Sequence, residues 1–323
     1  MAYRSMFFRQ LAALCLSLAF STQLFAIEIY AHRGGAGLVP ENTLAAIASA
    51  LSIGVDVIDV DIGLTQDNIV VAHHDLNLNP NLTRTLEKTW LKIPGPAIQQ
   101  LTYEELGQYD VGQMNPNCKV CQQNFPLQCQ LAEAKIPTLQ QVIEQLKKSH
   151  QPTRLQIEIK TDPHQPHSAS PQAIVMALIQ VLHAENYTSQ VEVHSFDWRN
   201  LLLLQQLAPE VTTSYLSDHD DLIKQPNYSA WLAGHDIVNL NMSYPKLIKK
   251  LGGSIWCPNY NELTPELLAE ARELGLKVNV WTVDQPKDMQ TMIAYGVDGI
   301  ITNRPDLLRG LLAAQGKLVT KVA

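Results

Sequence analysis

The chain has 323 residues, 46% of them hydrophobic, and its 24 basic against 31 acidic side chains give a formal net charge of −7. That acidic balance works against nucleic acid or an anionic membrane surface as partner, because both repel it. The length suits one large domain of barrel size, and beyond the N-terminal leader no stretch is apolar enough for stable membrane insertion.

Residues 1–26 read as a secretory signal peptide. Arg4 and Arg9 precede an apolar run over residues 11–20, and Leu24-Phe25-Ala26 offers a cleavage site. The run is too short for a spanning helix. Leu14 before Cys15 is a poor lipoprotein signal. A mature chain of residues 27–323, periplasmic or secreted after cleavage near Ala26, is therefore expected.

An apolar run over residues 27–30 leads into Ala31-His32-Arg33-Gly34-Gly35-Ala36-Gly37-Leu38-Val39-Pro40-Glu41-Asn42-Thr43, and a helical pattern follows. A proton-transfer group and a fixed cation thus stand where a strand ends, and glycines let the backbone turn there. Next comes Val55-Asp56-Val57-Ile58-Asp59-Val60-Asp61. Asp59 and Asp61 are two apart on a strand, so they share a face and repel unless a cation lies between them. Hard divalent ions seek such oxygen ligands. His74 ends a further apolar run, and neighbouring His73 faces the other way.

From residue 76 to 135 the regularity fails. The stretch is too long for a plain loop and reads as an inserted subdomain, with a helical hint at residues 102–108. It holds Cys118, Cys121 and Cys129. An exported chain permits disulfides, and no His pair follows Cys118-x-x-Cys121 at zinc-finger spacing, so a stapled loop is expected rather than a metal. Cys257 is free or pairs with Cys129.

Strand and helix patterns then alternate to the end. Main strands are expected over residues 27–32, 55–61, 154–160, 191–196, 211–216, 236–241, 277–283 and 299–302. The short run 69–74 and the ambiguous segment 254–257 are left out of that set. A weak helix is expected over 221–232. Eight β-α units imply an α/β fold of the TIM (β/α)8 type, with the insertion after strand two. Function in such barrels collects at the C-terminal strand ends. His32, Arg33, Asp59, Asp61, the face-sharing pair Glu158 and Lys160, the run His194-Ser195-Phe196, and Trp281 all fall there. Trp281 reads as a wall for the substrate.

His32-Arg33-Gly34, Pro40-Glu41-Asn42-Thr43, Asp59-x-Asp61, Leu64-Thr65-x-Asp67 and His74-Asp75, in this order, resemble the glycerophosphodiester phosphodiesterase family. Later blocks continue the likeness: Ile157-Glu158-Ile159-Lys160, Ser195-Phe196 and the stretches 275–282 and 296–303. The resemblance implies hydrolysis of a small glycerophosphodiester to sn-glycerol 3-phosphate and an alcohol. It implies Asp59, Asp61 and Glu158 as ligands of one divalent cation, Ca²⁺ or Mg²⁺, with Glu41 as a further candidate. It implies His32 and His74 as general base and acid, and Arg33 and Lys160 as holders of the phosphate. The family usually carries Glu where this chain has Asp59, and the shorter arm loses a methylene of reach. Two alternatives are phospholipase D-like cleavage of lysophospholipids or sphingomyelin, and non-catalytic binding of glycerophosphodiesters. The polar insertion speaks against the first, and the presence of both histidines against the second.

Overall fold

A computed structural model describes residues 27–92 and 95–318, so the expected signal peptide lies outside the described residues. Strand β1 (Glu28–Ala31) is followed by helix α1 (Leu44–Ile53), β2 (Val57–Leu64) and the short β3 (Val70–Ala72). After a long irregular stretch come α4 (Leu139–Ser149), β6 (Arg154–Ile159), α5 (Pro171–Ala184), β7 (Val191–Ser195), α6 (Trp198–Leu207) and β8 (Thr212–Ser217). The chain ends with α8 (Tyr244–Lys250), β9 (Ile255–Pro258), α9 (Pro265–Glu273), β10 (Lys277–Val280), α10 (Pro286–Tyr295), β11 (Gly299–Thr302) and α11 (Pro305–Ala314). The irregular stretch itself carries β4 (Arg84–Thr85), α2 (Tyr103–Leu106), β5 (Tyr109–Asp110) and α3 (Lys119–Asn124), and α7 (His219–Leu222) lies after β8.

Eight parallel strands close a barrel in the order β1, β2, β6, β7, β8, β9, β10, β11, with β11 pairing back to β1. Strand β3 runs antiparallel to β2, beyond the closed ring. Alternate residues point inward and outward. The outward set, such as Ile29, Ile58, Val60 and Ile157, packs under the helices in the main hydrophobic core. On α4, Leu139, Val142, Ile143 and Leu146 recur at helical spacing and are all buried, each worth about 1.5–3 kcal/mol of transfer free energy. The inward set is partly polar. Gln156 donates to Glu192 at 2.6 Å, and Asn279 donates to the Tyr30 hydroxyl at 3.0 Å. This layer closes the barrel below the site.

The expected eight-stranded parallel barrel holds, but one strand was misplaced. Residues 236–241 form turns, not a strand. Val238 and Leu240 there are 58% and 44% exposed, and the Asp236 carboxylate accepts from the Asn239 backbone and side chain. Such local side-chain bonding competes with a ladder. The sixth barrel strand is β9, in the segment that had looked ambiguous. It is only four residues long, preceded closely by Gly252-Gly253 and ending in Pro258, yet every residue is buried. The weak helix expected over 221–232 shrinks to α7 and a single 3-10 turn at Tyr228–Ala230.

The stretch between β3 and α4 has a small apolar cluster in which Leu78, Ile98 and Leu106 pack with Val71 and Ile136. Cys118 and Cys121 form a disulfide, whereas Cys129 is exposed and free and Cys257 is buried and free. A Cys129–Cys257 bond is therefore not formed. Just after α3, the Gln128 amide donates to the Ala36 carbonyl and the Cys129 N–H to that of Leu38, both at 2.7 Å. The stretch is thus strapped to the loop after β1.

Asp110 anchors it. The carboxylate is fully buried and accepts from Arg84 Nε at 2.8 Å and Lys88 Nζ at 2.9 Å, and from the N–H groups of Gly112 and Ala134. Burial alone would raise its pKa, but these donors hold it down at about 2. Asp110→Ala is expected to cost about 3–5 kcal/mol, because Arg84 stays behind as a buried unpaired cation. Urea unfolding followed by circular dichroism measures this, and an unchanged midpoint would contradict it.

Candidate active site

The first site residues follow β1 directly. His32–Gly34 form one 3-10 turn in which Arg33 is left-handed, at φ 53° and ψ 33°. A non-glycine residue there costs free energy that surrounding contacts must offset. The Arg33 carbonyl accepts from Asn42 N at 3.0 Å, and its guanidinium NH1 donates to both oxygens of Glu41, at 2.9 and 3.1 Å. Gly34 is required: at φ +78°, a Cβ would also sit 2.8 Å from the Ala46 Cβ on α1. Helix α1 starts at a defined point because the Thr43 hydroxyl accepts from Ala46 N while donating to the Pro40 carbonyl. Pro-Glu-Asn-Thr is thus a helix start that faces the active loop.

Asn303, in the turn after β11, fixes the tautomer of His32. Its Nδ2 donates to Asp284 at 2.7 Å, so its Oδ1 is the atom that meets His32 Nδ1, at 2.8 Å. A carbonyl oxygen only accepts. His32 Nδ1 therefore carries the hydrogen, and Nε2 of the neutral ring keeps its lone pair. Burial pushes the His32 pKa down from 6.5, and neighbouring Arg33 adds to the effect. His74 is arranged likewise. Its Nδ1 lies 2.6 Å from Asp75 Oδ1, and Asn79 holds the other Asp75 oxygen at 2.8 Å. Burial works against charge on Asp75, but its bond to His74 carries its pKa well below the usual carboxylate range.

The pairing register brings the carboxylates together. Asp61 lies opposite Glu158 across β2 and β6, and Glu158 opposite His194 across β6 and β7. Asp61 is fully buried. Its Oδ2 accepts from Asn42 at 2.8 Å and lies 3.3 Å from Arg33 Nε; its Oδ1 lies 3.7 Å from Lys160 Nζ. Burial opposes its charge, yet Arg33, His74 and Lys160 hold its pKa well below the ordinary range. Glu158 receives a 2.6 Å bond from Lys160, whose own pKa rises because Glu158 and Asp61 outweigh burial. Asp59 is fully buried and meets His194 Nε2 at 3.0 Å. Burial disfavours charge on His194, but Asp59 beside it lifts its pKa well above that of an ordinary imidazole.

These groups surround a cleft of about 390 Å³ lined by His32, Arg33, His74, Glu158, Lys160, His194, Phe196 and Trp281 among others. Trp281 lines one side of this cleft. Its indole N–H donates to the Cys257 carbonyl, and its ring stands edge-on to Phe196 at 5.2 Å. Glu41 and His73 instead border a second cavity beneath the strap, and Glu41 is occupied by Arg33.

Among the described residues, no group of three His, Cys, Asp or Glu side chains is gathered as a ready-made metal site. The donor chemistry nevertheless fits a hard divalent cation. Asp59 Oδ2 and Asp61 Oδ1 are buried oxygens with no hydrogen-bond partner. A buried carboxylate oxygen without a donor is costly, and a cation removes that cost. Glu158 is the third oxygen donor of the set, shared with Lys160.

The sequence brought His32, Arg33, His74, Asp59, Asp61, Glu158, Lys160 and Trp281 to one barrel end. It gave no partner role to the groups that hold them: Asn303, Asn42, Asp75 and His194. Asn42 and Asp75 stood inside the quoted motifs, and Asn303 and His194 at strand ends, so position was a signal where side-chain partner was not.

A barrel mouth of this kind, with imidazoles, fixed cations and carboxylates around one cleft, belongs to the class of enzymes that act on anionic phosphate esters. The glycerophosphoryl diester phosphodiesterase family model matches residues 32–307, and the chain belongs to that family. It is 29% identical over 289 residues to the glycerophosphodiester phosphodiesterase of Caldanaerobacter subterraneus, covering 89% of this chain and 98% of that one. It is 25% identical to the Bacillus subtilis enzyme of the same name, over 86% of this chain and 83% of the relative. The crystal structure of "Putative glycerophosphoryl diester phosphodiesterase" from Silicibacter pomeroyi superposes with a TM-score of 0.81 at 32% identity, covering 90% of this chain and 94% of the other.

Proposed function

We propose that this enzyme hydrolyses glycerophosphodiesters to sn-glycerol 3-phosphate and an alcohol, with His32 as general base, His74 as general acid and one divalent cation as cofactor. The observation that carries the reading is the locked His32 ring. Asn303 occupies Nδ1, so the lone pair of Nε2 is left for the cleft that also holds Arg33 and Lys160. Arg33 and Lys160 bind the anionic phosphate and offset charge that builds on its oxygens during attack. His32 Nε2 takes the proton of the attacking hydroxyl, from water or from the neighbouring glycerol hydroxyl. His74, its Nδ1 held by Asp75, gives a proton to the departing alkoxide. Asp59, Asp61 and Glu158 would hold the cation, which would supply further charge neutralisation at the phosphoryl group. Phe196 and Trp281 form the apolar side against which the organic part of the substrate rests.

An exported location is part of the proposal. It is supported by the leader-like residues 1–26 and is in keeping with the Cys118–Cys121 disulfide.

The test is incubation of purified protein with glycerophosphocholine and Ca²⁺ or Mg²⁺, with product detection by phosphorus NMR. sn-Glycerol 3-phosphate is the expected product. Phosphocholine as product, or no product with either ion, would sink the reading.

A further inference from the structure

We infer that His194 is a positioning residue for Asp59: by holding one carboxylate oxygen it leaves the other as a fixed, free donor for the cation. The inference rests on the metal-dependent reading above and concerns how a shortened side chain still serves that site.

Asp59 and His194 come from β2 and β7, on either side of β6 in the barrel wall. Their side chains meet inside the lumen, Nε2 to Oδ1 at 3.0 Å, with 0% and 2% of each residue exposed. Among the described residues, His194 is the one side chain that bonds the Asp59 carboxylate, and Oδ2 has no partner. A carboxylate at that depth with one donor has a defined plane; without the donor it turns about its Cβ–Cγ bond. His194 is itself enclosed in the barrel wall, opposite Ser214 across β7 and β8, and the Ser214 hydroxyl lies 3.1 Å from the buried Cys257 thiol. The ring therefore acts as a stop. It sets which way the free oxygen faces, while Asn42 does the same for Asp61 by bonding Oδ2 and leaving Oδ1 without a hydrogen bond. Both candidate ligands on β2 are thus held by one oxygen, with no hydrogen bond to the other, although Asp61 Oδ1 also lies 3.7 Å from Lys160 Nζ. Groups that orient metal ligands in this way typically change affinity by about 10–100-fold when removed.

The bland alternative is a buried ion pair that only stabilises the barrel. Calorimetric titration of Ca²⁺ and Mg²⁺ into metal-stripped protein separates the two without any reading of turnover. His194→Leu is expected to weaken binding by about 10–100-fold. His194→Gln, whose amide still donates to Asp59, should recover most of that loss. Because His194→Leu strands a buried carboxylate and can unfold the chain, Asp59→Asn is compared with Asp59→Asn/His194→Leu as well. Equal affinities in that pair support the inference, since His194 then acts only through Asp59. Wild-type affinity in folded His194→Leu, or a tenfold further loss in the double variant, overturns it and leaves the proposed activity standing. A wild type that turns over substrate but binds neither ion overturns the metal reading and this inference with it.

Discussion

His32→Ala is expected to lower kcat on glycerophosphocholine by about 10²–10⁴-fold, and His74→Ala by a similar factor, with the fold unchanged. Each ring borders the cleft, and each is tied at Nδ1 by a group outside the chemistry, Asn303 for one and Asp75 for the other. Removing the ring removes a positioned proton carrier and no core packing. The pH profile adds a sign. The His32 pKa is lowered from 6.5 by burial and by Arg33. Its neutral, proton-accepting form therefore persists to lower pH than in a free imidazole. The acid limb of kcat/KM should lie below pH 6.5, and His32→Ala should lose that limb along with the rate. Either variant turning over within tenfold of wild type, in a steady-state assay with saturating divalent ion, would refute the acid–base assignment.

The barrel was legible because its strands and helices carry the two periodicities that hydrophobic patterning exposes. The misplaced sixth strand shows where that signal stops. Residues 236–241 mix apolar and polar side chains as a half-buried strand would, but Asp236 bonds its own loop, and Val238 and Leu240 face solvent while Ile237 alone turns into the core. Strand β9 carries Ile255, Trp256, Cys257 and Pro258, all buried, in a run too short and too tightly bracketed by glycine and proline to stand out. Its burial comes from neighbours on both sides, β8 and β10, which no local pattern records. The site divides in the same way. Spacing two apart predicts that Asp59 and Asp61 share a face, and strand order predicts that Glu158 joins them. That His194 reaches Asp59 depends on the barrel closing around the lumen. So does the meeting of His32 and Asn303, which are 271 residues apart.

Asp61→Asn is expected to abolish tight binding of the divalent ion and to cut kcat by at least about 10²-fold, the scale on which one fixed electrostatic group acts. Asp61 is the carboxylate on which the site converges: Asn42 bonds Oδ2, Arg33 lies 3.3 Å from it, and Lys160 3.7 Å from Oδ1. Its pKa is lowered well below 3.8, because Arg33, His74 and Lys160 together overcome burial. A depressed carboxylate contributes stability that is fully present above its unfolded pKa and lost only as pH falls through the lower folded value. Asp61 is thus charged through the neutral range, and the loss in Asp61→Asn should not be rescued by raising the pH. KM should respond differently from kcat. The neutral amide leaves Arg33 and Lys160 with less opposing charge, so their hold on an anionic phosphate is kept or strengthened while the cation's share is lost. The expected result is a large fall in kcat with KM unchanged or lower, and loss of the calorimetric signal for Ca²⁺ and Mg²⁺. Wild type stripped with excess chelator should show the same low kcat and recover on adding either ion. Full activity of the stripped wild type would refute a required cation, and unchanged ion affinity in Asp61→Asn would remove Asp61 from the ligand set.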